Sequence, residues 1–154
     1  MEKKHKLMFT MLTSSCLHYL KICYFTVMNQ YSHNLDIDYY IIVNTLNDDY
    51  YLEVLDEFKD KNVNIVRTES NGKPGKGHNS VLQLFEYNQQ YDYLFAIDGD
   101  DFLYPTAFQH IEAYINSKKP DILMLMYHDI LSKNINNSST HFLINNKFNF
   151  NYNV

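Results

Sequence analysis

The stretch YLFAIDGDDFLYP, residues 93–105, governs how the rest of the chain is interpreted. It begins with a charge-free apolar and aromatic run, residues 93–97, which is typical of a buried strand. Three carboxylates follow within four residues, at Asp98, Asp100 and Asp101. Carboxylates held this close repel one another unless a cation lies among them. The stretch therefore predicts a strand that ends in a ligand-binding or metal-binding turn.

Strands and helices alternate on both sides of this stretch. Apolar runs at 7–12, 37–43, 63–66 and 122–126 predict four further strands. The segments between them carry apolar residues at helical spacing. Strands separated by helices indicate an α/β fold, with a parallel sheet flanked by helices on both faces.

The predicted helices have recognisable starts and apolar faces. Thr13, Ser14 and Ser15 offer capping side chains for the first helix, Asn47 and Asp48 for the second, and Pro105 suits the first turn of the fourth. The third helix is expected over residues 78–90. The predicted buried faces are Leu17, Leu20, Tyr24, Val27 and Tyr31; Tyr51, Val54, Leu55 and Phe58; Val81, Leu82 and Phe85; and Phe108, Ile111, Tyr114 and Ile115.

Polar residues follow the predicted strands at the same edge of the sheet. In parallel sheets, ligands bind beyond the carboxyl ends of the strands. That rim would bring together Thr13, Asn44, the loop at 69–77 and the acidic turn at 98–101.

Composition excludes several classes of function. The chain has 154 residues, enough for one domain, and 13 basic against 18 acidic residues give a net charge of −5, so no general attraction to nucleic acid or anionic membranes is expected. Cys16 and Cys23 match neither a zinc pair nor a redox pair and are interpreted as free thiols of a cytoplasmic protein. Residues 7–12 are interpreted as a strand rather than a signal sequence, and no stretch is long enough to span a membrane.

The acidic turn is the strongest candidate site. Asp98 and Asp100 are the predicted metal ligands, and their hard oxygen atoms suit Mg²⁺ or Mn²⁺ rather than zinc. The alternative is a solvated turn that caps the next helix. A calcium loop is excluded, because its glycine and glutamate positions hold Leu103 and Gln109. His128, after the fifth strand, is either a further ligand or an ordinary polar residue at a strand exit.

The loop at residues 71–77 carries three of the four glycines but neither a Walker sequence nor a GxGxxG sequence. Its amides and the start of the following helix could hold phosphate, and Lys73 and Lys76 add positive charge. The alternative is a flexible surface loop.

The stretch at 93–105 resembles the hallmark of the nucleotide-sugar glycosyltransferases with the A-type, Rossmann-like fold, especially the large inverting family 2. Members carry an apolar strand that ends in a DxD motif, followed by an apolar residue and often proline. Many also carry an upstream Asn-Gly loop that closes with Arg-Asn at the start of a helix. Asn71-Gly72 and His78-Asn79 stand in those places, and the resemblance covers residues 6–130.

The resemblance implies roles for individual residues. Asp100 would bind the Mn²⁺ or Mg²⁺ that bridges the sugar diphosphate, and Asp98 would assist the metal or contact the ribose. The metal would stabilise the departing nucleoside diphosphate as a Lewis acid. The implied substrate-binding residues are Thr13, Asn44, Asn71, Gly72, Lys76, His78, Asn79, Asp98 and Asp101.

The sequence departs from the family pattern at the second strand and at the third helix. Asn44-Thr45 stands where members usually have aspartates that contact the nucleobase. His78 replaces the family arginine, and Lys76 is interpreted as a compensating charge. The nucleotide therefore stays open.

The family takes its catalytic base from an acceptor-binding region downstream of the DxD motif. Residues 102–154 contain no matching Glu-Asp motif, so the base is missing, supplied by another chain, or a residue that the pattern does not identify. The expected organisation is a nucleotide-sugar-binding domain at 1–131 and an Asn-rich tail at 132–154 that is partial or loosely ordered. The expected function is sugar transfer to an unknown glycan, lipid or protein acceptor. The alternatives are an inactive nucleotide-sugar-binding module or fragment, and a metal-dependent phosphatase or nucleotidyltransferase.

Overall fold

The computed structural model describes residues 4–68, 72–124, 127–128, 135–136 and 142–145. Strands and helices alternate along most of this length, as the sequence predicts. The elements are β1 (His5–Thr13), α1 (Leu17–Met28), β2 (Leu35–Asn44), α2 (Asp48–Phe58), β3 (Asn64–Thr68), α3 (Pro74–Tyr87), β4 (Tyr93–Asp98), α4 (Ala107–Lys118), β5 (Ile122–Met124), β6 (Tyr127–His128), β7 (Ile135–Asn136) and β8 (Phe142–Asn145).

The main sheet has six strands in the order β3-β2-β1-β4-β8-β5. The first four are parallel neighbours, which confirms the Rossmann-like α/β class. The other edge corrects the prediction of a wholly parallel sheet, because β8 runs antiparallel to both β4 and β5. An antiparallel neighbour needs no crossover helix, and the sequence before β8 has no helical periodicity. β6 and β7 form a separate antiparallel pair.

The core lies on both faces of the sheet. On β1, Leu7, Phe9 and Met11 point to one face and pack with α1, α2 and α4. Met8 and Leu12 point to the other face and pack with α3. Because successive side chains of a strand alternate between faces, a central strand covered on both sides is mostly apolar along its length. The polar turns at the cleft therefore follow strands that are packed on both faces.

Helix α1 buries Leu20, Cys23 and Val27. The predicted apolar face extends too far, since the helix ends at Met28 and Tyr31 is exposed. The predicted capping is also wrong, because no side chain caps α1 and its N-cap is Cys16 in a left-handed conformation. The nearby hydroxyl of Thr13 is instead engaged with Tyr50 and with the carbonyl oxygen of Ser15.

Helix α2 begins as predicted, with Asn47 as its cap. The Asn47 side-chain oxygen accepts hydrogen bonds from the backbone amides of Asp49 and Tyr50, at 3.0 and 3.3 Å. The fully buried face is Tyr50, Val54 and Phe58. Tyr51 and Leu55, which the sequence placed on that face, are half-buried at its border.

Helix α3 begins at Pro74 rather than at residue 78, and it ends at Tyr87. Proline is well suited to the first helical position, because the amide it lacks would have no partner there. Val81 and Phe85 are buried as predicted. The first helical turn therefore includes part of the segment that the sequence suggested was a loop.

Helix α4 begins at Ala107, so Pro105 precedes it instead of lying in its first turn. Tyr114 is half exposed, and Glu112 is buried in addition to the predicted apolar residues. The Glu112 carboxylate accepts hydrogen bonds from the backbone amides of His33 and Asn34, at 2.9 and 3.1 Å. Burial of a carboxylate is tolerated when such bonds replace its hydration, and this one ties α4 to the start of β2.

The segment that the sequence set apart as a tail, 132–154, contributes β7 and β8, and the backbone of β8 pairs within the main sheet. The domain boundary at residue 131 stays a prediction. Residues 125–126 of the predicted fifth strand lie outside the described part of the chain. Within the described part, no helix is both long and apolar enough to cross a membrane.

Candidate functional site

A cleft of about 340 Å³ opens at the carboxyl ends of β1, β2 and β4. Strand order reverses around β1, since β2 lies on one side of it and β4 on the other. Ligands of open α/β sheets bind at such a switch point. The cleft is lined by Leu12, Thr13, Ser14, Ser15, Cys16, Tyr19, Asn44, Gly72, Pro74, Asp98, Gly99 and Asp100. The predicted site residues Thr13, Asn44, Gly72, Asp98 and Asp100 are thus brought together.

The acidic turn packs directly against the end of β1. The amide of Gly99 donates to the carbonyl oxygen of Leu12 at 2.6 Å, and the amide of Asp101 donates to that of Asp98 at 3.1 Å. A Cβ atom at residue 99 would lie 3.1 Å from both the Leu12 oxygen and the Thr13 Cβ. Glycine therefore permits the close approach that brings Asp98 and Asp100 to the cleft.

His78 contacts the acidic turn from the first part of α3. Its Nε2 lies 3.3 Å from Oδ1 of Asp98, and its Nδ1 lies 2.9 Å from the carbonyl oxygen of Pro74. The hydrogen bond to Asp98 raises the pKa of His78; partial burial opposes this, and the Pro74 carbonyl and the negative charge of Asp98 add to it. His78 thus places a titratable positive charge beside the turn, although it does not line the cleft.

A divalent metal fits this turn only as an incomplete site. In residues that the structure describes, no three His, Cys, Asp or Glu side chains are grouped to hold a metal ion. Mg²⁺, however, commonly takes one or two protein carboxylates and completes its shell with water and substrate phosphates. Asp98 and Asp100, both at the cleft, match that donor set. The metal site stays a prediction, in which water and a phosphate-bearing ligand would complete the coordination shell.

The two cysteines differ in their surroundings. Both are free; Cys16 is exposed and lines the cleft, whereas Cys23 is buried. The Cys23 thiol donates to the carbonyl oxygen of Asp98 at 3.8 Å. Burial raises the pKa of this thiol strongly, and the negative charges of Asp101, Asp100 and Asp98 raise it further. Cys23 therefore stays protonated and supports the turn as a packing residue.

Thr13, the last residue of β1, supports the turn between β1 and α1 from its buried side. It is 6% exposed, its hydroxyl contacts the Tyr50 hydroxyl, and both groups lie within hydrogen-bond distance of the Ser15 carbonyl oxygen.

The site prediction omitted Ser14, Ser15 and Tyr19, which line the cleft. The position of the two serines directly after β1, at the predicted rim, could have identified them. Tyr19, in the first turn of α1, carries no comparable signal.

Asn44 and Gly72 form the wall opposite the acidic turn. The side-chain oxygen of Asn44 accepts from the amide of Gly72 at 3.2 Å and from the hydroxyl of Thr68 at 3.3 Å. Gly72 has a φ of 67°, a left-handed conformation that glycine adopts at no steric cost. Its neighbour Asn71, a predicted substrate-binding residue, lies outside the described residues.

Three other predicted substrate-binding residues are not among those that line the cleft. Lys76 and Asn79 are exposed on α3, and Asp101 is half-buried at the end of the acidic turn. Both residues are helical, because α3 begins at Pro74. Lys76 and Asn79 are three residues apart and so share one face of α3, which differs from the buried face at Gly77 and Val81. Their substrate-binding roles stay predictions. The side chain of His128 lies outside the described part of the structure.

Comparisons with known proteins connect this chain to a family. A family model described as Glycosyl transferase family 2 matches residues 11–153. A search of curated proteins by sequence found no significant match.

Solved structures share the fold at low sequence identity. TarS 1-349 from S. aureus in complex with UDP-GlcNAc is 18% identical, with a TM-score of 0.62 over 81% of this chain and 35% of that chain. Its complex with UDP gives 18% identity and a TM-score of 0.59, over 82% and 36%. A 4-diphosphocytidyl-2C-methyl-D-erythritol synthase from Anaerococcus prevotii is 13% identical, with a TM-score of 0.55 over 94% and 71%. The matched region therefore spans about a third of the TarS chain.

Proposed function

Because this chain belongs to glycosyl transferase family 2, we propose that it binds a nucleotide-diphosphate sugar in the cleft and transfers the sugar to an acceptor. One observation carries the proposal: two carboxylates at the end of β4, the turn after β1 and the turn at Gly72 meet around one cleft at the carboxyl ends of the parallel strands. The N-cap of α1, Cys16, is part of the lining. Helix N-termini attract phosphate, so this end of the cleft suits the diphosphate.

Asp98 and Asp100 would hold Mn²⁺ or Mg²⁺ together with the donor diphosphate. When bound, the cation neutralises charge on the departing nucleoside diphosphate. His78 holds Asp98 through the contact of its Nε2 with Oδ1. Gly99 keeps the whole turn against β1, so that both carboxylates are oriented before the donor arrives.

TarS has been crystallised with UDP and with UDP-GlcNAc, which makes uridine diphosphate sugars the first donors to test here. The acceptor is a glycan, a lipid or a protein, and no described feature selects among them. We place the reaction in the cytoplasm, in line with the two free cysteines.

A donor-binding module without transferase activity is the second candidate. Among the residues that line the described cleft, the carboxylates are Asp98 and Asp100, and both are assigned to the metal. The described lining therefore offers no third carboxylate to act as the base that an inverting transfer needs. Hydrolysis of simple phosphate esters, without sugar transfer, would instead indicate the phosphatase alternative.

Thermal unfolding with a panel of nucleotide sugars tests donor binding directly. A donor at about one hundred times its Kd stabilises the folded state by roughly 2.7 kcal/mol, which raises the Tm by several degrees. We expect this rise with wild type and Mn²⁺, and its loss in Asp100→Ala. Asp60→Ala, which removes an exposed carboxylate that is not among the lining residues, should keep the full rise.

The outcomes separate the candidates. If no donor raises the Tm of wild type, the donor site is wrong. A rise that persists in Asp100→Ala would reject the role of the acidic turn. A donor-dependent rise without release of nucleoside diphosphate, across a panel of acceptors, would favour the binding module.

A further inference from the structure

Asn44, the last residue of β2, has a buried side chain that bonds to the turn before α3. It is 2% exposed. Its side-chain oxygen accepts from the Gly72 amide and the Thr68 hydroxyl, and its side-chain nitrogen donates to the carbonyl oxygen of Lys73 at 3.3 Å. The backbone oxygen of Asn44 also accepts from the Gly72 amide, at 2.9 Å. Both ends of the amide are therefore used on one side of the cleft.

The chemistry of these contacts requires an amide at position 44. The Gly72 amide and the Thr68 hydroxyl donate hydrogen bonds, whereas the Lys73 carbonyl oxygen accepts one. An ionised carboxylate accepts but cannot donate, so an aspartate here would face the Lys73 oxygen without a proton between them. The same Lys73 oxygen accepts the amide of Gly77 at 2.9 Å. The Asn44 side chain thus joins the first hydrogen bond of α3.

Helix α3 approaches Asn44 more closely than a larger residue would allow. A Cβ atom at residue 77 would lie 2.5 Å from Nδ2 and 3.2 Å from Cγ of Asn44. Gly77 is itself buried. The fit of Gly77 against Asn44 sets how close the start of α3 lies to the end of β2.

We propose that Asn44 is a positioning residue that fixes the turn at Gly72–Pro74, which forms one wall of the cleft. Its side chain would not itself contact the nucleotide sugar. Gly72 and Pro74 line the cleft on either side of Lys73, so a shift of the turn changes the shape of that wall. At 2% exposure, the Asn44 side chain offers a ligand almost no surface. The effect on donor affinity rests on the proposed function, whereas the bracing of the turn does not.

Two variants disturb this contact from opposite sides. Asn44→Ala removes the side-chain bonds, and Gly77→Ala keeps Asn44 but pushes a methyl group against its amide. Asn64→Ala is the matched control, because Asn64 is an exposed asparagine whose side-chain nitrogen donates to the backbone carbonyl oxygen of Tyr39, also at 3.3 Å. If Asn44→Ala does not fold, it is replaced by Asn44→Asp. That variant keeps oxygen atoms that accept hydrogen bonds and loses the N–H group that donates one.

Amide hydrogen exchange at Gly72 in ligand-free protein tests the bracing, and calorimetric titration of UDP with Mn²⁺ tests its consequence. We expect exchange at Gly72 to accelerate several-fold in both Asn44→Ala and Gly77→Ala, and UDP affinity to fall in both. The control should match wild type in both measurements.

Three results would overturn the inference. Unchanged Gly72 exchange in both variants would reject the bracing. A loss of UDP affinity confined to substitutions of Asn44, with normal exchange, would indicate direct donor contact. Faster exchange in Gly77→Ala with unchanged UDP affinity would break the link between the turn and the donor. If wild type binds no UDP or UDP-sugar, the proposed function fails, and the exchange measurements alone then decide the bracing.

Discussion

Asp98 links the turn after β4 to the first part of α3 through its contact with His78, in which Nε2 and Oδ1 are 3.3 Å apart. The pair stands where the family resemblance would place an arginine and a donor-binding aspartate. Histidine differs from arginine in that its charge depends on pH near neutrality. The folded protein therefore has a titratable contact at the edge of its candidate metal site.

The first prediction concerns this contact in metal-free protein. In wild type the pKa of His78 is raised, chiefly by its hydrogen bond to Asp98. A raised folded-state pKa means that the contact stabilises the fold below the unfolded-state pKa, and that this contribution is lost as pH rises through the folded-state pKa. Asp98→Asn should lower the pKa of His78 and flatten the pH dependence of unfolding across that window.

NMR titration of the His78 ring measures the first effect, and urea unfolding at several pH values measures the second. The exposed His110 on α4 gives an internal reference signal in the same spectra. An identical His78 titration in wild type and Asp98→Asn would contradict the contact.

At the scale of elements, the candidate site depends on how turns pack against strand ends. The acidic turn lies against β1 through Gly99, and α3 lies against β2 through Gly77. In each case the missing side chain lets backbone and neighbouring atoms approach more closely than a Cβ atom would allow. These approaches bring polar turns from different parts of the sequence to one cleft.

Gly99→Ala is therefore expected to destabilise the fold. The added methyl group meets the Leu12 backbone oxygen at 3.1 Å, and backbone cannot move aside as easily as a side-chain end. Overpacking of this kind costs about 1–3 kcal/mol. Chemical denaturation measures the change in unfolding free energy.

Gly75→Ala is the matched control, because nothing lies within 4 Å of a Cβ atom added there and the residue is helical. Replacing a helical glycine with alanine should leave stability unchanged or raise it, by up to about 1 kcal/mol. Equal stability of Gly99→Ala and wild type would show that the turn does not need this close approach.

At the scale of the whole molecule, two carboxylates line the cleft, and the proposed metal, if held by them, would take its remaining ligands from water and from the phosphates of the nucleotide sugar. Metal and donor binding should therefore depend on each other. Thermodynamic linkage requires that a donor which strengthens Mn²⁺ binding is itself bound more tightly when Mn²⁺ is present.

We expect Mn²⁺ to bind weakly to the protein alone and at least about tenfold more tightly with UDP, which is a coupling of about 1.4 kcal/mol. Electron paramagnetic resonance of free Mn²⁺ measures both affinities in the same buffer, with a UDP–Mn²⁺ mixture without protein as the blank. Chelation with EDTA should remove the thermal stabilisation by UDP. Tight Mn²⁺ binding without nucleotide would instead indicate a closed protein site and would contradict the incomplete one.

The order of strands and helices, the apolar central strands and the Asn47 cap are all evident in the sequence, because each depends on local periodicity or on a side chain that bonds within a few residues. The convergence of Thr13, Asn44, Gly72, Asp98 and Asp100 was also predictable, since the carboxyl ends of parallel strands share one rim. The antiparallel β8, the burial of Glu112, and the contacts of His78 with Asp98 and of Asn44 with Gly72 were not. Each of these depends on partners far apart in the chain, and sequence periodicity holds no information about which distant atoms complete a hydrogen bond or fill a space. Local chemistry thus indicated where the site lies, and tertiary packing determined which of its residues line the cleft and which hold the lining in place.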